Sequence, residues 1–387
     1  MAYRIALIGC GVVAQGFMKI LAEKGKALKE RHGLEAKIVA VSDKLKGSIL
    51  VPEGIDLPKF LAHVEAGKKV DDFPAKGAVK GLDPVETIKR APADIVIEVT
   101  FTDIKTGEPA TTYIKEALGS GKHVITTNKG PIALHGAELQ ALAKKKKVLL
   151  RHEGVVMSGT PVFDLLEFCL AGNDVREVKG ILNGTTNFIL TKMETDAMPY
   201  KDALALAQKL GYAEADPTAD VEGFDALAKI YALSKIVLGA DIKIEDVARE
   251  GISKITSEDI RKAAAEGKRY KLVASARRDG PKVVASVRPE KLPLSDPLAG
   301  VSGAINALTF HTDLSGPITI QGAGAGKMET GFALLIDLLA IHREISRRAA
   351  PVPCDDIPSD VRAGALRHPQ TGLVESQSMP RSLGGKG

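Results

Sequence analysis

The chain has 387 residues, 44% apolar and 26% charged, and its 53 basic against 48 acidic side chains give a formal charge of +5. That length exceeds one small core and argues for two or three domains, while so small and interspersed a basic excess removes the case for a nucleic-acid partner. Cys10, Cys169 and Cys354 are scattered without metal-like spacing, and no apolar run approaches a membrane span, so a reducing, cytoplasmic setting without a membrane partner is expected.

Residues 4–8, RIALI, predict a short strand that runs directly into GCGVVAQG and then a helix, FMKILAEKGKALKER. Gly9, Gly11 and Ala14 fit the G-x-G-x-x-G/A pattern. The first glycine allows a tight turn, the second lets the backbone approach a pyrophosphate, and the third small residue lets helix and strand pack closely. Free N–H groups at the helix start would bind the phosphates. Alone, such spacing is common; between a strand and a helix it predicts a dinucleotide site contacted by Gly9, Cys10, Gly11, Val12 and Val13. A second strand, KIVAVS at 37–42, ends at Asp43, where a carboxylate would take the adenosine ribose of NAD. Lys44 and Lys46 follow at once and would suit the 2′-phosphate of NADP, so both cofactors stay open.

Further apolar runs at 94–100, 123–127 and 148–151 alternate with helix-like stretches such as PATTYIKEALGSG. The alternation predicts an α/β fold, a Rossmann-type doubly wound parallel sheet spanning residues 1–150. The basic run from Lys144 to Lys147 reads as a solvated helix end. Beyond 151 the texture changes to that of a second, α+β domain at 151–319, read as the substrate-binding and catalytic domain. Residues 320–350 are expected to complete the first domain, and 351–387, rich in Pro, Ser, Gly and Arg, to form a flexible tail. Within GTPVFDLLEFCLAG, Cys169 reads as a small buried apolar residue of a helix.

The stretch GYAEADPTADVEGFDALAK at 211–229 gathers Glu214, Asp216, Asp220, Glu222 and Asp225 ahead of Lys229. Acidic residues favour helix starts and solvated loops, so the cluster alone is compatible with a plain surface. Phe224, Leu227, Tyr231 and Leu238, however, predict a helix over 221–238 with one buried face. Asp225 and Lys229 are i and i+4 on that helix and within mutual reach. A buried lysine can exchange a proton with a substrate oxygen while the carboxylate orients it; the bland alternative is an exposed ion pair of little energetic weight.

That run, together with HEGVVMSGTPV (152–162), TTNKG (126–130), ILNGTTNFIL (181–190) and GAGAGKMETG (322–331), closely resembles homoserine dehydrogenase, in the family's order and over residues 4–348. The resemblance implies NAD(P)-dependent interconversion of L-aspartate 4-semialdehyde and L-homoserine, a step of threonine, methionine and isoleucine biosynthesis. It implies Lys229 as the principal acid/base residue, Lys129 as a second lysine near nicotinamide and substrate, and Asp225 as a carboxylate orienting substrate. Glu214 and Asp220 match positions that hold the substrate's ammonium and hydroxyl ends, with Asn183, Gly184 and Thr185 as further substrate contacts. Thr100, Lys129 and Gly326 match cofactor contacts. A sodium ion is implied at Glu153, Val156, Ser158 and Thr160, mostly through main-chain oxygens, and the family's two-fold pairing implies a homodimer.

Two departures stand out. VTFTD at 99–103 replaces a more usual glycine-containing turn, and no segment long enough for an amino-acid-sensing domain follows residue 350, so domain-mediated threonine feedback is not expected. One rival reading is an enzyme like aspartate-semialdehyde dehydrogenase, which needs a nucleophilic cysteine near a base. Another is an NAD(P)-binding sensor without catalysis, which would have no use for Lys129, Asp225 and Lys229 together.

Overall fold

The computed structural model describes residues 2–349; the tail expected at 351–387 lies outside the described residues. Strand β1 (Ala2–Ile8) leads through the glycine loop into α1 (Val12–His32), followed by β2 (Glu35–Asp43), β3 (Gly47–Leu50), α2 (Leu57–Glu65), β4 (Val79–Lys80) and α3 (Pro84–Arg90). Then come β5 (Ile95–Glu98), α4 (Ala110–Gly119), β6 (His123–Thr126), α5 (Lys129–Lys146) and β7 (Leu150–Arg151). The seven strands form one sheet in the order β4-β3-β2-β1-β5-β6-β7. From β2 to β7 the neighbours are parallel. Ile5 to Ile8 are fully buried, as a parallel strand covered by helices on both faces requires.

The β2 edge departs from an all-parallel sheet, because β3 and β4 add to it antiparallel. The local chemistry accounts for this: the Asp43 carboxylate accepts the N–H groups of Leu45 and Lys46 in a tight turn, and Gly47 supplies φ +87°. Strand order reverses about β1, whose neighbours are β2 and β5, so the crevice of this sheet opens at the carboxyl ends of β1 and β5.

The second sheet is built from β8 (Val175–Ile181), β9 (Ala248–Arg249), β10 (Lys268–Asp279), β11 (Lys282–Pro293), β12 (Ile305–Thr312) and β13 (Pro317–Ala323), in the order β13-β12-β8-β10-β11-β9. All pairs are antiparallel except β11 with β9. Between and after these strands lie α6 (Gly184–Thr195), α7 (Tyr200–Lys209), the single turn α8 (Thr218–Val221), α9 (Phe224–Leu238), α10 (Ser257–Ala265) and α11 (Lys327–Ala349). Helix α9 lies against β8, β10 and β11, and its Ile230 and Leu233 share a core with Leu272, Ala274 and Ala276 of β10. Among the described residues, those up to Arg343 form one compact unit, and 344–349, which group apart from it, are helical.

Two local expectations are corrected. Helix α9 starts at Phe224 rather than 221, because Gly223 at φ +79° ends α8 and restarts the helix. Phe224 is consequently 45% exposed, lying under the Arg249 guanidinium 3.8 Å away, and the buried face runs through Tyr231 and Leu238. Cys169 is exposed: residues Leu165–Cys169 wind as a π-helix, which shifts the phase and turns Phe168 and Cys169 outward.

Helix α11 crosses α1 at two glycines. A Cβ at Gly331 would stand 2.6 Å from the Phe17 nitrogen, and one at Gly16 would overlap the Lys327 carbonyl. Further along, His342 Nε2 lies 2.8 Å from the His32 carbonyl and donates to it, which leaves Nδ1 to accept from the Tyr3 hydroxyl at 3.1 Å.

Candidate active site

Gly9 sits at φ +106°, and a Cβ there would come within 2.6 Å of the Val99 carbonyl just after β5, so the turn from β1 into α1 requires glycine. Gly11 is the N-cap of α1, and a Cβ on it would meet nothing within 4 Å. No side chain caps this helix and no acidic residue stands in its first turn. The result is a positive helix end with uncapped N–H groups at Val12 and Val13, facing open space. A dinucleotide's pyrophosphate fits such a cradle. Cys10 is fully buried and burial pushes its thiol up to about 11, so it packs rather than reacts.

Asp43 stands at the end of β2, but its carboxylate is already engaged. Oδ2 accepts from the Cys10 N–H at 2.8 Å, and Oδ1 from Leu45 and Lys46. Lys46 is likewise committed to the loop, with Nζ 2.9 Å from the Cys10 carbonyl, whereas Lys44 is exposed. Across the crevice, Glu98 ends β5 fully buried and accepts the Thr100 N–H and the Thr126 hydroxyl, each at 2.8 Å; burial pushes its carboxyl up. Thr100 is thereby fixed. Asn128 stands at the N-cap position of α5 without capping it: its Nδ2 donates to the Phe101 carbonyl at 3.2 Å, while its Oδ1 is buried without a partner among the described residues. Gly326, at φ +143°, precedes α11.

The expected acid/base residues converge. Lys229 is 8% exposed, and its Nζ lies 2.7 Å from Asp225 Oδ2 and 2.7 Å from the Leu182 carbonyl. Lys129, the first residue of α5, places Nζ 4.0 Å from the other oxygen of Asp225. Burial alone would raise the Asp225 carboxyl, but the ammonium groups of Lys229 and Lys129 outweigh it and hold the carboxyl at about 2. Lys129 is lowered by burial, with the Lys229 charge adding to the effect and Asp225 opposing it.

Asn183 joins this group to its neighbour. Its Nδ2 donates to Asp220 Oδ1 at 2.7 Å and to Asp225 Oδ2 at 3.1 Å, and its Oδ1 caps α6 through the Thr186 N–H. Burial pushes Asp220 up, so two adjacent carboxylates are driven apart in acidity. The N–H groups of Gly184 and Thr185 open α6 beside them. Glu214 is exposed on the loop before α8; Gln208 holds that loop through the Glu214 and Ala215 carbonyls. Asp216 caps the Thr218 N–H.

An ammonium carries three donors, and Lys229 has two of them fixed by Asp225 and Leu182, leaving the third for a substrate oxygen. Such an arrangement can pass a proton to a carbonyl oxygen or take one from an alcohol. Beside it the carboxylates offer a place for an amine, and the start of α6 offers one for an anion.

In the loop implied for a cation, the Glu153 carboxylate is occupied by the N–H groups of Val162, Phe163 and Asp164. Among the described residues no group of three or more His, Cys, Asp or Glu side chains is placed to hold a metal. What this loop offers is main-chain oxygen: Met157 and Ser158 both curl into the left-handed region, and the carbonyls of Val156, Ser158 and Thr160 accept no hydrogen bond among the described residues. Such a donor set suits a hard monovalent ion.

Three polar residues of the site escaped the sequence reading: Glu98, Asn128 and Asn306. Glu98 was visible as a carboxylate closing the apolar run IVIE and Asn128 as the third residue of TTNKG, whereas Asn306 carries no local pattern.

Two family models match the chain, "Homoserine dehydrogenase, NAD binding domain" over residues 9–153 and "Homoserine dehydrogenase" over residues 161–339. The NAD(+)-dependent homoserine dehydrogenase of Pseudomonas canavaninivorans is 45% identical over 348 residues, covering 89% of this chain and 98% of that one. The homoserine dehydrogenase of Methanocaldococcus jannaschii is 40% identical, covering 89% and 99%. Among solved structures, a homoserine dehydrogenase from Thiobacillus denitrificans aligns with TM-score 0.75 at 33% identity, covering 91% of this chain and 76% of that one. A hyperthermophilic archaeal homoserine dehydrogenase mutant in complex with NADPH aligns with TM-score 0.75 at 29% identity, covering 89% and 98%.

Proposed function

We propose, from the premise that this chain belongs to the homoserine dehydrogenase family, that it interconverts L-homoserine and L-aspartate 4-semialdehyde with NAD favoured over NADP. The observation that carries the reaction is the contact of Lys229 with Asp225 at 2.7 Å, with Lys129 on the carboxylate's other side. A nicotinamide bound at the β1–β5 crevice supplies hydride exchange with the substrate carbon. The chain's own residues manage the proton and the pose. Lys229 protonates the aldehyde oxygen in reduction and accepts the hydroxyl proton in oxidation, while Asp225 holds its ammonium in place. Lys129, lowered by burial, is a second proton carrier on the nicotinamide side.

Asp220 and Glu214 take the substrate ammonium and hydroxyl ends, the N–H groups of Gly184 and Thr185 take its carboxylate, and Asn183 borders the site by holding Asp220 and Asp225. Residues 1–150, completed by 320–350, hold the dinucleotide through the loop from Gly9 to Val13 with Asp43, Lys44, Thr100 and Gly326. Residues 151–319 hold the substrate and pair with a second copy of the chain. Glu153, Val156, Ser158 and Thr160, mostly through main-chain oxygens, would hold a sodium ion, which would stiffen the loop that joins β7 to β8. No helix among the described residues is long and apolar enough to cross a membrane, and we place the enzyme in the cytoplasm as a step of amino-acid biosynthesis.

The deciding experiment follows absorbance at 340 nm with purified protein, L-homoserine and either NAD or NADP at alkaline pH. Homoserine-dependent reduction supports the assignment; silence with both cofactors, despite measurable cofactor binding, overturns it in favour of the sensor. The NAD preference rests on Asp43, a carboxylate at the strand end where this fold meets the adenosine ribose, with Lys46 already committed to the loop. Asp43→Ser is expected to shift the NAD/NADP ratio of kcat/KM towards NADP by about tenfold, or ~1.4 kcal/mol. An unchanged ratio would reject that role. Glu214→Ala is expected to raise KM for homoserine about tenfold with kcat retained, because a charge-assisted contact is lost equally from substrate and transition state. Steady-state kinetics with varied homoserine check this, and an unaltered KM would remove Glu214 from the site.

A further inference from the structure

We infer that Asn306 is a positioning residue for proton transfer, because it pins the Leu182 carbonyl that holds Lys229, and that Gly324 is glycine to leave room for it. The inference rests on the role proposed above for Lys229. Asn306 is the second residue of β12 and fully buried. Its Nδ2 donates to the Leu182 carbonyl at 3.0 Å, the same oxygen that accepts from Lys229 Nζ at 2.7 Å. Both acceptor positions of that carbonyl are thereby filled, one by the ammonium and one by a side chain anchored in the sheet. Without Asn306 the Leu182–Asn183 peptide would be held from the Lys229 side alone. Asn183 is also the residue that clamps Asp220 to Asp225, so the same peptide sets the pose of three site groups.

Two independent features show that the fold is arranged around this amide. Asn306 Oδ1 is buried without a partner among the described residues, an arrangement that costs about 1–3 kcal/mol and that an apolar residue would avoid. The glycine loop after β13 is also shaped to it: a Cβ at Gly324 would overlap the Asn306 carboxamide. Gly324 does not adopt a left-handed conformation, so the space it leaves, rather than its backbone, is what demands glycine there. On the far side, buried Lys271 donates to Asn187 Oδ1 at 3.1 Å, and Asn187 Nδ2 donates to the Ile305 carbonyl at 3.0 Å, bracing the residue before Asn306.

The test uses the full chain with Asn306→Ala, Gly324→Ala and the double variant. Each single change is expected to lower kcat for homoserine oxidation about thirtyfold, within the range for a misplaced acid/base group, with KM changed less than threefold. Without Asn306 the Leu182 carbonyl is held from the Lys229 side alone, so the amine takes more poses and meets the substrate oxygen in fewer of them. The charged groups facing Lys229, namely Asp225 and Lys129 with Asp220 beyond Asn183, are untouched in these variants. In the Asn306→Ala background the added methyl of Gly324→Ala finds vacant space, so the double variant should be no worse than Asn306→Ala alone. Additive losses, or a rise in KM in place of the fall in kcat, would overturn the inference. Competitive acylation of Lys229, followed by mass spectrometry, needs no turnover: several-fold faster labelling in Asn306→Ala supports the positioning role and an unchanged rate overturns it. Wild-type silence with homoserine would instead overturn the proposed reaction, and the labelling result would still decide the role of Asn306.

Discussion

Replacing Lys229 by alanine is expected to lower kcat by about 10²–10⁴-fold while leaving the dinucleotide dissociation constant within about twofold. The asymmetry follows from position. Lys229 lies in α9 with Asp225 and the Leu182 carbonyl, whereas the cradle for the pyrophosphate is made by Gly9, Gly11 and the start of α1 in the other sheet. Deleting the amine removes the donor nearest a substrate oxygen and leaves Lys129 as the remaining proton carrier, 4.0 Å from Asp225 and lowered by burial. Single-turnover rates at saturating cofactor, paired with fluorescence titration of the dinucleotide, separate the two quantities. Turnover within threefold of wild type would end the assignment of Lys229, and loss of cofactor binding would show that it supports the fold instead.

Asp225→Asn is expected to lower kcat about 10²-fold and to destabilise the protein by ~2 kcal/mol at neutral pH. The amide keeps the shape but leaves two lysines facing each other with no negative charge between them. Wild-type Asp225 is held at about 2 against an ordinary 3.8, so its contribution is fully present above the ordinary value and disappears as pH falls towards 2. The stability gap between variant and wild type, read from chemical denaturation, should therefore narrow on acidification. Because Asp225 opposes the lowering of Lys129, its removal lets that lysine fall further, and the alkaline limb of kcat for aldehyde reduction, which needs the protonated amine, should move to lower pH. A gap that stays constant from pH 7 down to pH 2 would show that the carboxylate's charge is not what matters.

Several parts of this molecule are written locally and can be read from the chain. The strand, glycine loop and helix of residues 2–32 are one such part, since the apolar run, the glycine spacing and the helical period all lie within a few residues of one another. The pairing of Asp225 with Lys229 is another, because helical spacing alone brings i and i+4 together. The unread parts depend on distant partners. Asn306 meets Leu182 across 124 positions, and nothing near either residue announces the contact. Asp43 reads as a free carboxylate until Cys10, 33 residues earlier, is seen to occupy it. Cys169 and Phe224 were misjudged because a single π turn and a single left-handed glycine reset the helical phase on which their burial was inferred.

The crossing of α1 by α11 also sets an order of events during synthesis. The first 32 residues include the whole phosphate loop, yet Gly16 seats against Lys327, Phe17 against Gly331, and Tyr3 and His32 are both tied to His342. A nascent chain cannot finish the packing of its first helix until residues past 342 have emerged from the ribosome. The earliest-made part of the cofactor site is therefore among the last to settle, and the growing chain passes most of its synthesis with that helix face waiting for its final neighbour.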